Sequence, residues 1–409
     1  MNTKQISSVD KNIKIENLLM AAIVSYHVVQ FFFALWSGKL FNTLGGDYLS
    51  FWSSGHISNT RGYISIYDLD SQASIQGQYA PIETTGVVPT PLFPIFILPF
   101  QIMALVPPGA GFLIWSVLNI VGLFLYLKKR LLSNLPMSYL WLSMLAMPFF
   151  LNIYYGQVEV WLMIFVSEFL IAWSQGKLFQ SGVWLGLALL NPQTLILIIP
   201  YLIMKRYWKI LAGFITTFLF ILLSTLILIG IKGLIEIMKL WLGYSAGLPS
   251  NAPEVMMNWR MLGLHISKNV LPVAGASVIV LGSAITLLLC VPLFRTKMQQ
   301  NSSVPVISLF GIFAATLALT WHSHQHMSMI LIPFFFKLLQ ENLLSRRLYK
   351  AWVFVPILAY VSVIPIVVLT SLGILPMLDA FGSLMTGTCM LIFNVFFLYM
   401  AQNKIQTPY

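Results

Sequence analysis

Residues 209–230 read KILAGFITTFLFILLSTLILIG, an apolar run in which the only charged side chain is Lys209. A predominantly apolar stretch of about 20 residues matches the hydrocarbon thickness of a bilayer when it is helical. Lipid offers no hydrogen-bond partner to an unpaired backbone group, so such a stretch can cross only as a helix. Similar runs recur along the chain of 409 residues. The sequence therefore predicts an all-α polytopic membrane protein.

The composition leaves no room for a separate soluble domain, because 58% of the residues are hydrophobic and only 9% are charged. We therefore predict a single transmembrane domain over residues 1–409. The formal charge of +11 could suggest nucleic acid as a partner, but the basic residues form small clusters between apolar runs. Such clusters are typical of membrane orientation, and no nucleic acid is expected.

The apolar runs predict about 10–12 transmembrane helices, with two segments that do not read as simple spans. Residues 89–106 contain four prolines, which disfavour a straight helix, so a re-entrant or interfacial segment is expected. Residues 178–204 are broken at Asn191-Pro192 and are flanked by cations, which predicts a broken helical hairpin. The remaining spans are expected near residues 17–36, 110–127, 136–151, 157–173, 209–230, 270–292, 304–320, 327–340, 351–370 and 382–401.

The distribution of Lys and Arg orients these segments. With a cytoplasmic N-terminus, most of the 23 basic residues lie inside, as the positive-inside rule requires. A full span at 89–106 would move the cluster 128–130 to the outside, which argues against it. This topology gathers most of the acids and histidines on the outer face, including a long first external loop at 37–88. We therefore expect a multi-pass protein of the plasma (cytoplasmic) membrane with its active site on the external or periplasmic face.

Asp47 is the strongest candidate for chemistry. It lies in GGDYLSFWSSG, directly after the first span, where an ionisable group is costly to keep and is functional by default. Gly45 and Gly46 would let the backbone turn tightly and a substrate approach closely. A catalytic base is one interpretation. The structural alternative is an N-cap for a short helix that begins at Tyr48.

Three further groups of polar residues fall on the predicted outer face. Arg260, within Asn258-Trp259-Arg260, presents a planar fork of donors suited to phosphate. Gln157 offers both a donor and an acceptor to a hydroxyl-rich ligand, although helix capping is as good an explanation. If the run WHSHQH is helical, His322 and His326 share a face and His324 points away.

Two of these patterns raise the question of a metal. His322 and His326 have zinc-like spacing but no adjacent third ligand, so hydrogen bonding to phosphate or hydroxyl groups is the favoured role. Asp68 and Asp70 read as turn and capping residues rather than as a cation site. Neither a metal nor a cofactor is predicted.

The ordered set of motifs resembles the GT-C superfamily of polytopic glycosyltransferases, and most closely glycosyltransferase family 87. The matching stretches run over roughly residues 40–340 and are, in order, GGDYLSFWSSG, IYDLD, PTPLFPIFILPF, YYGQVEVW, SGVWLGLALLNPQTLILIIPYLIMKRYW, NWRMLG and WHSHQHMSMILIPFF. Family members often carry a Lys before the proline of the hairpin motif, where this chain has Asn191. Under the resemblance, more of any phosphate contact therefore falls to Arg260 or a histidine.

The resemblance implies a GT-C fold and an inverting transfer of a hexose, mannose in the family, from a polyprenyl-phosphate donor to an acceptor hydroxyl at the outer face. Asp47 matches the family's base, and Arg260 with His322 or His326 would bind the donor phosphate. Gln157, Tyr48, Trp52 and Asn258 would position the sugar or the acceptor, a glycolipid or glycan. The alternatives are a flippase of lipid-linked sugars and an outer-leaflet polysaccharide ligase.

Overall fold

The computed structural model describes residues 20–22, 24–29, 31–32, 40–41, 44–82, 86–246, 253–296, 305–363, 365–366, 369 and 381–406. These residues form helices, turns and irregular connections, and none of them belongs to a β-strand. The predicted cytoplasmic N-terminus, nine of the twenty residues of the first span and part of the 37–88 loop lie outside the described residues. The protein is an all-α polytopic membrane protein, as the sequence predicts.

The α-helices of the described part are α1 (Gly46–Arg61), α2 (Leu69–Gln76), α3 (Leu98–Met103), α4 (Pro108–Tyr126), α5 (Ser138–Leu145), α6 (Met147–Tyr155), α7 (Glu159–Ser174), α8 (Leu178–Leu187), α9 (Ile198–Met204), α10 (Trp208–Ala246), α11 (Trp259–Asn269), α12 (Pro272–Arg295), α13 (Val306–Leu319), α14 (Ile332–Gln340), α15 (Arg346–Val361) and α16 (Phe381–Gln406). Short 3-10 turns lie between them, notably Pro94–Ile97, Pro192–Leu195 and Gln325–Leu331.

Four helices among the described residues are long and apolar enough to cross a membrane: Pro108–Leu131, Trp208–Gly243, Pro272–Arg295 and Gly382–Ile405. The predicted span at 209–230 ends where α10 is interrupted, at Gly230, with φ 64° and ψ −174°. That backbone conformation is open almost only to glycine.

The predicted span near 136–151 is not one helix. The chain leaves the helical conformation at Ala146, with φ −63° and ψ 142°, and α6 begins at the next residue. Pro148, in the first turn of α6, accounts for the break. In a continuous helix its ring would collide with the carbonyl of Met144, and it has no backbone N–H to donate to that carbonyl. Two short helices, α5 and α6, therefore replace one long helix.

Glycines bring α8 and α10 into direct backbone contact. A Cβ atom added at Gly182 would lie 1.9 Å from the carbonyl oxygen of Ile210, and one at Gly186 would collide with Thr217 at 2.4 Å. Small residues permit this close approach of helices in membranes. The contacting positions advance along both helices in the same direction. Helix α8 and the start of α10 therefore run parallel, and the chain must travel back between them.

The return path is the broken segment that contains Asn191-Pro192. Asn191 adopts φ −139° and ψ 82° between two 3-10 turns, and α9 follows. The proline fixes this interruption because it cannot continue the hydrogen bonds of the preceding helix. The interruption leaves Asn191, Pro192 and Gln193 at the wall of a cavity.

The proline-rich segment 89–106 contains only ten helical residues, Pro94–Met103. At 1.5 Å per residue they extend over about 15 Å, which is half the thickness of a bilayer core. The first loop is also folded: Tyr67 donates a hydrogen bond to the carbonyl of Leu92 at 2.7 Å. Asp68 caps α2 through the backbone N–H and the hydroxyl of Ser71, which confirms the capping interpretation.

Helices α11 and α12 form an antiparallel hairpin that fixes the NWR motif. A Cβ at Gly263 would lie 2.6 Å from the carbonyl oxygen of Gly275, and Trp259 packs over Gly282. The indole of Trp259 also donates to the hydroxyl of Thr286 at 2.9 Å. The next residue, which is the arginine of the motif, is thereby held at the start of α11.

Candidate active site

Asp47 lies in the first turn of α1, beside a cavity. Gly45 occupies the N-cap position in the left-handed conformation, with φ 73°, and its N–H donates to the carbonyl of Tyr154 at 2.8 Å. The helix begins at Gly46 and no side chain caps it, so the N-cap interpretation of Asp47 is wrong. The carboxylate instead accepts a hydrogen bond from Nε2 of Gln157 at 2.6 Å.

Gln157 reaches Asp47 because of the glycine before it. Gly156 ends α6 in the left-handed conformation, with φ 74°, and a Cβ there would meet Cβ of Tyr48 at 2.4 Å. Only glycine fits both the backbone angle and this contact with α1. The motif YYGQ therefore joins the end of α6 to the start of α1 and directs the Gln157 amide at the carboxylate.

The three histidines of WHSHQH all line the same cavity. Residues 321–324 are not helical, and His324 is extended, with φ −84° and ψ 159°. The ring of His324 stacks on His326 at 5.4 Å and meets His322 edge-on at 4.6 Å. The prediction that His322 and His326 share a helical face while His324 points away is therefore wrong. The extended chain is held by Ser323, whose carbonyl accepts from the N–H of Met257 at 2.9 Å.

One of these rings belongs to a buried carboxylate–imidazole pair in the cavity wall. Oε1 of Glu159, in the first turn of α7, is 3.2 Å from Nδ1 of His326, and the two side chains are 2% and 6% exposed. The backbone N–H of Glu159 donates to Oδ1 of Asn152 at 3.0 Å. This bond ties the start of α7 to α6.

The cavity has a volume of about 410 Å³, within the usual range for small-molecule sites. Its polar wall combines the start of α1, the start of α7, the break after α8 and the histidine run. Its apolar wall comes from the 88–92 segment and the C-terminal part of α10. The lining includes Asp47, Ser50, Phe51, Val88, Pro91, Leu92, Gln157, Glu159, Asn191, Gln193, Ile196, Trp241, Trp321, His322, His324, His326 and Met327.

The charges in this cavity are unequal. Burial raises the pKa of Asp47, while the nearby His326 and the hydrogen bond from Gln157 lower it by a smaller amount. Burial also lowers the pKa of His326, but the pairing with Glu159 and the proximity of Asp47 outweigh it, so that pKa is raised. Burial lowers the pKa of His322 to about 4 and places the pKa of His324 well below its usual range. Of the three histidines, His326 is therefore the one whose surroundings favour the charged form.

Arg260 lies next to the cavity without lining it. Its guanidinium stacks on the ring of Trp321 at 4.2 Å, and Nη1 donates to the carbonyl of Trp321 at 3.4 Å. Trp321 itself lines the cavity. The guanidinium thus contacts the backbone that leads into the histidine run, so its charge acts on this edge of the site.

Three of the predicted positioning residues lie away from the cavity wall. Tyr48 is fully buried against Phe100 and Phe112, and the indole of Trp52 donates to the carbonyl of Val106 at 3.1 Å. Asn258 caps α11 and donates to the carbonyl of Thr320 at 2.7 Å. A role for these residues in positioning sugar or acceptor stays a prediction. From these positions they would act indirectly, by fixing the backbone that carries the cavity wall.

Sequence reasoning missed several wall residues. Helical periodicity could have found Ser50 and Phe51, which share the face of Asp47 at i+3 and i+4. No sequence pattern assigns a role to Glu159. Its contact with His326 joins α7 to a distant part of the chain, which no local pattern reveals. Among the described residues, no group of three or more His, Cys, Asp or Glu is arranged to hold a metal ion.

Comparison with known proteins gives one family. The sequence model of glycosyltransferase family 87 matches residues 91–320, more than half of the chain. The matched range includes Gln157, Glu159 and Arg260, while Asp47 and the histidines at 322–326 lie outside it. Neither a curated protein nor a solved structure matches the chain at a significant level.

Proposed function

Because the chain belongs to glycosyltransferase family 87, we propose that it is an inverting hexosyltransferase that uses a polyprenyl-phosphate-linked sugar, with mannose as the first candidate. The acceptor is a hydroxyl of a glycolipid or glycan at the outer face of the cytoplasmic membrane. The observation that carries the proposal is a cavity whose wall holds a hydrogen-bonded carboxylate, Asp47, together with His326, an imidazole paired with a second carboxylate.

The reaction needs a base, and Asp47 fits that role. Its carboxylate takes the proton of the acceptor hydroxyl as the oxygen attacks the anomeric carbon from the face opposite the phosphate. The new carbon–oxygen bond forms as the bond to the phosphate oxygen breaks, so the configuration inverts. The raised pKa of Asp47 makes it a stronger base than an exposed carboxylate. Gln157 holds one carboxylate oxygen, which orients the other toward the cavity.

The departing lipid phosphate gains negative charge and needs no proton. His326 and Arg260 are cations near the cavity, from the histidine run and from α11. Fixed positive charge in a site that excludes water stabilises such a leaving group strongly. His322 and His324, neutral at pH 7, would serve as hydrogen-bonding groups rather than as charges.

The donor's lipid chain needs an apolar exit from the cavity. Leu92, Ile196 and Trp241 line one side, and Ile196 is 54% exposed. An isoprenoid chain that leaves between these residues would stay in lipid while its phosphate lies near the histidines. The proposed outer-face location rests on the distribution of basic residues along the sequence.

The test is transfer of radiolabelled sugar from polyprenyl-phosphate-mannose and polyprenyl-phosphate-glucose into lipid extracts of the source membrane. Purified wild type, Asp47→Ala and Asp70→Ala are compared, the last because Asp70 is an exposed acid of the same loop. We expect transfer by wild type and Asp70→Ala but not by Asp47→Ala. Failure of a folded wild type with both donors would contradict the proposal and favour the ligase or the flippase.

A further inference from the structure

Glu159 is a buried acid that the proposed reaction does not use directly. Its side chain is 2% exposed and faces Nδ1 of His326 at 3.2 Å. An ionised carboxylate is costly to bury unless an opposite charge and hydrogen bonds compensate it. The backbone N–H of Glu159 donates to Oδ1 of Asn152, so the turn that carries the carboxylate is anchored to α6.

The groups that face His326 come from four elements. Asp47 belongs to α1, Glu159 to α7 and Tyr155 to the end of α6, with its ring 6.5 Å from the imidazole. His324 stacks on the ring from the same segment, and His322 interacts with it electrostatically. Two carboxylates thus act on one imidazole, and both favour its charged form.

The orientation of the ring follows from the same contact. A protonated imidazole carries a donor on each nitrogen, and Nδ1 is the nitrogen that lies 3.2 Å from Oε1 of Glu159, within ion-pair distance but without the alignment of a hydrogen bond. Nε2–H is then the donor that remains for an occupant of the cavity. A carboxylate that orients an imidazole from behind is a recurring device, because it sets both the protonation and the direction of the reacting nitrogen.

We propose that Glu159 is a positioning residue: it keeps His326 protonated and turned so that Nε2–H meets the phosphate of the sugar donor. This inference rests on the proposed function for the identity of that phosphate. The contact between Glu159 and His326 itself does not depend on it. Substitution of Glu159 should therefore act on the phosphate contact through His326. The charge of Glu159 also raises the pKa of Asp47, and that second effect belongs to the acid limb of a pH profile.

The first experiment measures the charge of His326 without any substrate. Protein labelled with ¹³C and ¹⁵N in its histidines is titrated by NMR in nanodiscs, with the His326 signal assigned from a His326→Asn sample. In Glu159→Gln, the pKa of His326 should fall by about one unit or more, since the variant removes an adjacent opposite charge but keeps the shape. Glu168→Gln, on the same helix, is the control and should leave it unchanged. An unchanged His326 titration in folded Glu159→Gln would overturn the proposal.

The second experiment follows kcat/KM against pH. Protonated His326 is required, so activity is lost as the pH rises through its pKa. Glu159→Gln lowers that pKa, and the alkaline limb should move to lower pH by a similar amount. In a His326→Asn background, Glu159→Gln should cause no further loss at pH values where Asp47 is ionised, since the remaining electrostatic effect of Glu159 is on the pKa of Asp47. Equal losses in both backgrounds would mean a structural role and contradict the proposal.

The two experiments distinguish failure of the proposed function from failure of the role proposed for Glu159. If folded wild type transfers no sugar, the proposed function and the phosphate contact fail together, while the NMR titration still decides whether Glu159 controls His326. If Glu159→Gln does not fold, Glu159→Asp replaces it. The shorter carboxylate keeps the charge, so the His326 pKa should stay raised and the alkaline limb should stay near that of wild type. A fall in Glu159→Asp as large as that expected for the uncharged side chain would overturn the proposal.

Discussion

Helix α7 carries a paired carboxylate at each of two positions, and the two pairs differ in kind. Glu159, in its first turn, meets the imidazole of His326, and both are almost fully buried. Glu168, nine residues or about 14 Å further along, accepts two bonds from the Arg130 guanidinium, at 2.9 and 2.8 Å, and one from Tyr126. The Arg130 side chain is 45% exposed.

The difference separates a titratable pair from a permanent one. Arginine stays protonated at any accessible pH, so the bond between Arg130 and Glu168 ties the π-helical turn that follows α4, Leu127–Leu131, to α7 regardless of conditions. The imidazole of His326 gains or loses its charge within the range in which proteins work. The Glu168 pair thus has the properties of a permanent contact between helices. The Glu159 pair has the properties expected of the proposed reaction site.

The largest expected effect is at the cavity end. Asp47→Asn keeps the shape and can still bond with Gln157, but it cannot take a proton. We expect kcat for sugar transfer to fall by about 10²- to 10⁴-fold, the usual contribution of a general base. The thermal midpoint should change little, which distinguishes lost chemistry from lost folding. Transfer at the wild-type rate would remove Asp47 from the mechanism.

Arg260 tests whether charge at the rim of the cavity matters. Arg260→Ala removes a guanidinium that stacks on Trp321, and we expect a loss in kcat of about 10²-fold if that charge stabilises the leaving phosphate. Arg260→Lys keeps a charge without the planar stack and should recover part of the rate. Equal rates for Ala and Lys would show that the stack with Trp321, rather than charge, is what counts. Single-turnover transfer at saturating donor measures the step.

Gln157 should have a smaller effect with a defined pH signature. Its hydrogen bond favours the charged form of Asp47, so Gln157→Leu should raise the pKa of that carboxylate further. Because the base must be ionised, the acid limb of kcat/KM should move to higher pH, while the alkaline limb governed by His326 should stay in place. A change in rate that is equal at every pH would contradict this account.

The other end of α7 should respond in stability instead. Glu168→Gln breaks the pair with Arg130, and because Arg130 is partly exposed we expect a cost of only about 1 kcal/mol. The thermal midpoint should fall by a few degrees or less, with both pH limbs unchanged. A shift of either limb would mean that the two ends of α7 communicate, and the contrast between them would be lost.

Much of this architecture could be predicted from the sequence because membrane helices are recognisable by the length and low polarity of their apolar runs. The break at Asn191-Pro192 and the cap at Asp68 follow from rules that act over a few residues. The interruption at Ala146 was not predicted because the hydropathy stays high across it. Pro148 was a local signal for a break in the helix.

The site was harder, for a physical reason. Asp47 stood out because a carboxylate at a membrane boundary is costly, and that argument needs no partner. The role of Glu159 depends on its contact with His326, which joins α7 to a segment far along the chain. The position of His324 depends on its stacking against His326 within that segment. An assumed helix for WHSHQH also placed His324 on the wrong side, since the backbone there is extended.

The interruption of α10 at Gly230 joins the membrane to the cavity. Residues before it belong to a long apolar helix, and Trp241 after it donates to the carbonyl of Pro91 at 2.9 Å and forms part of the cavity wall. We therefore expect a bilayer that changes the tilt of the first part to displace this part of the wall, because one non-helical residue joins the two. The rate of the enzyme should accordingly depend on the thickness of the bilayer, and turnover in vesicles should vary with the acyl chain length of the lipid.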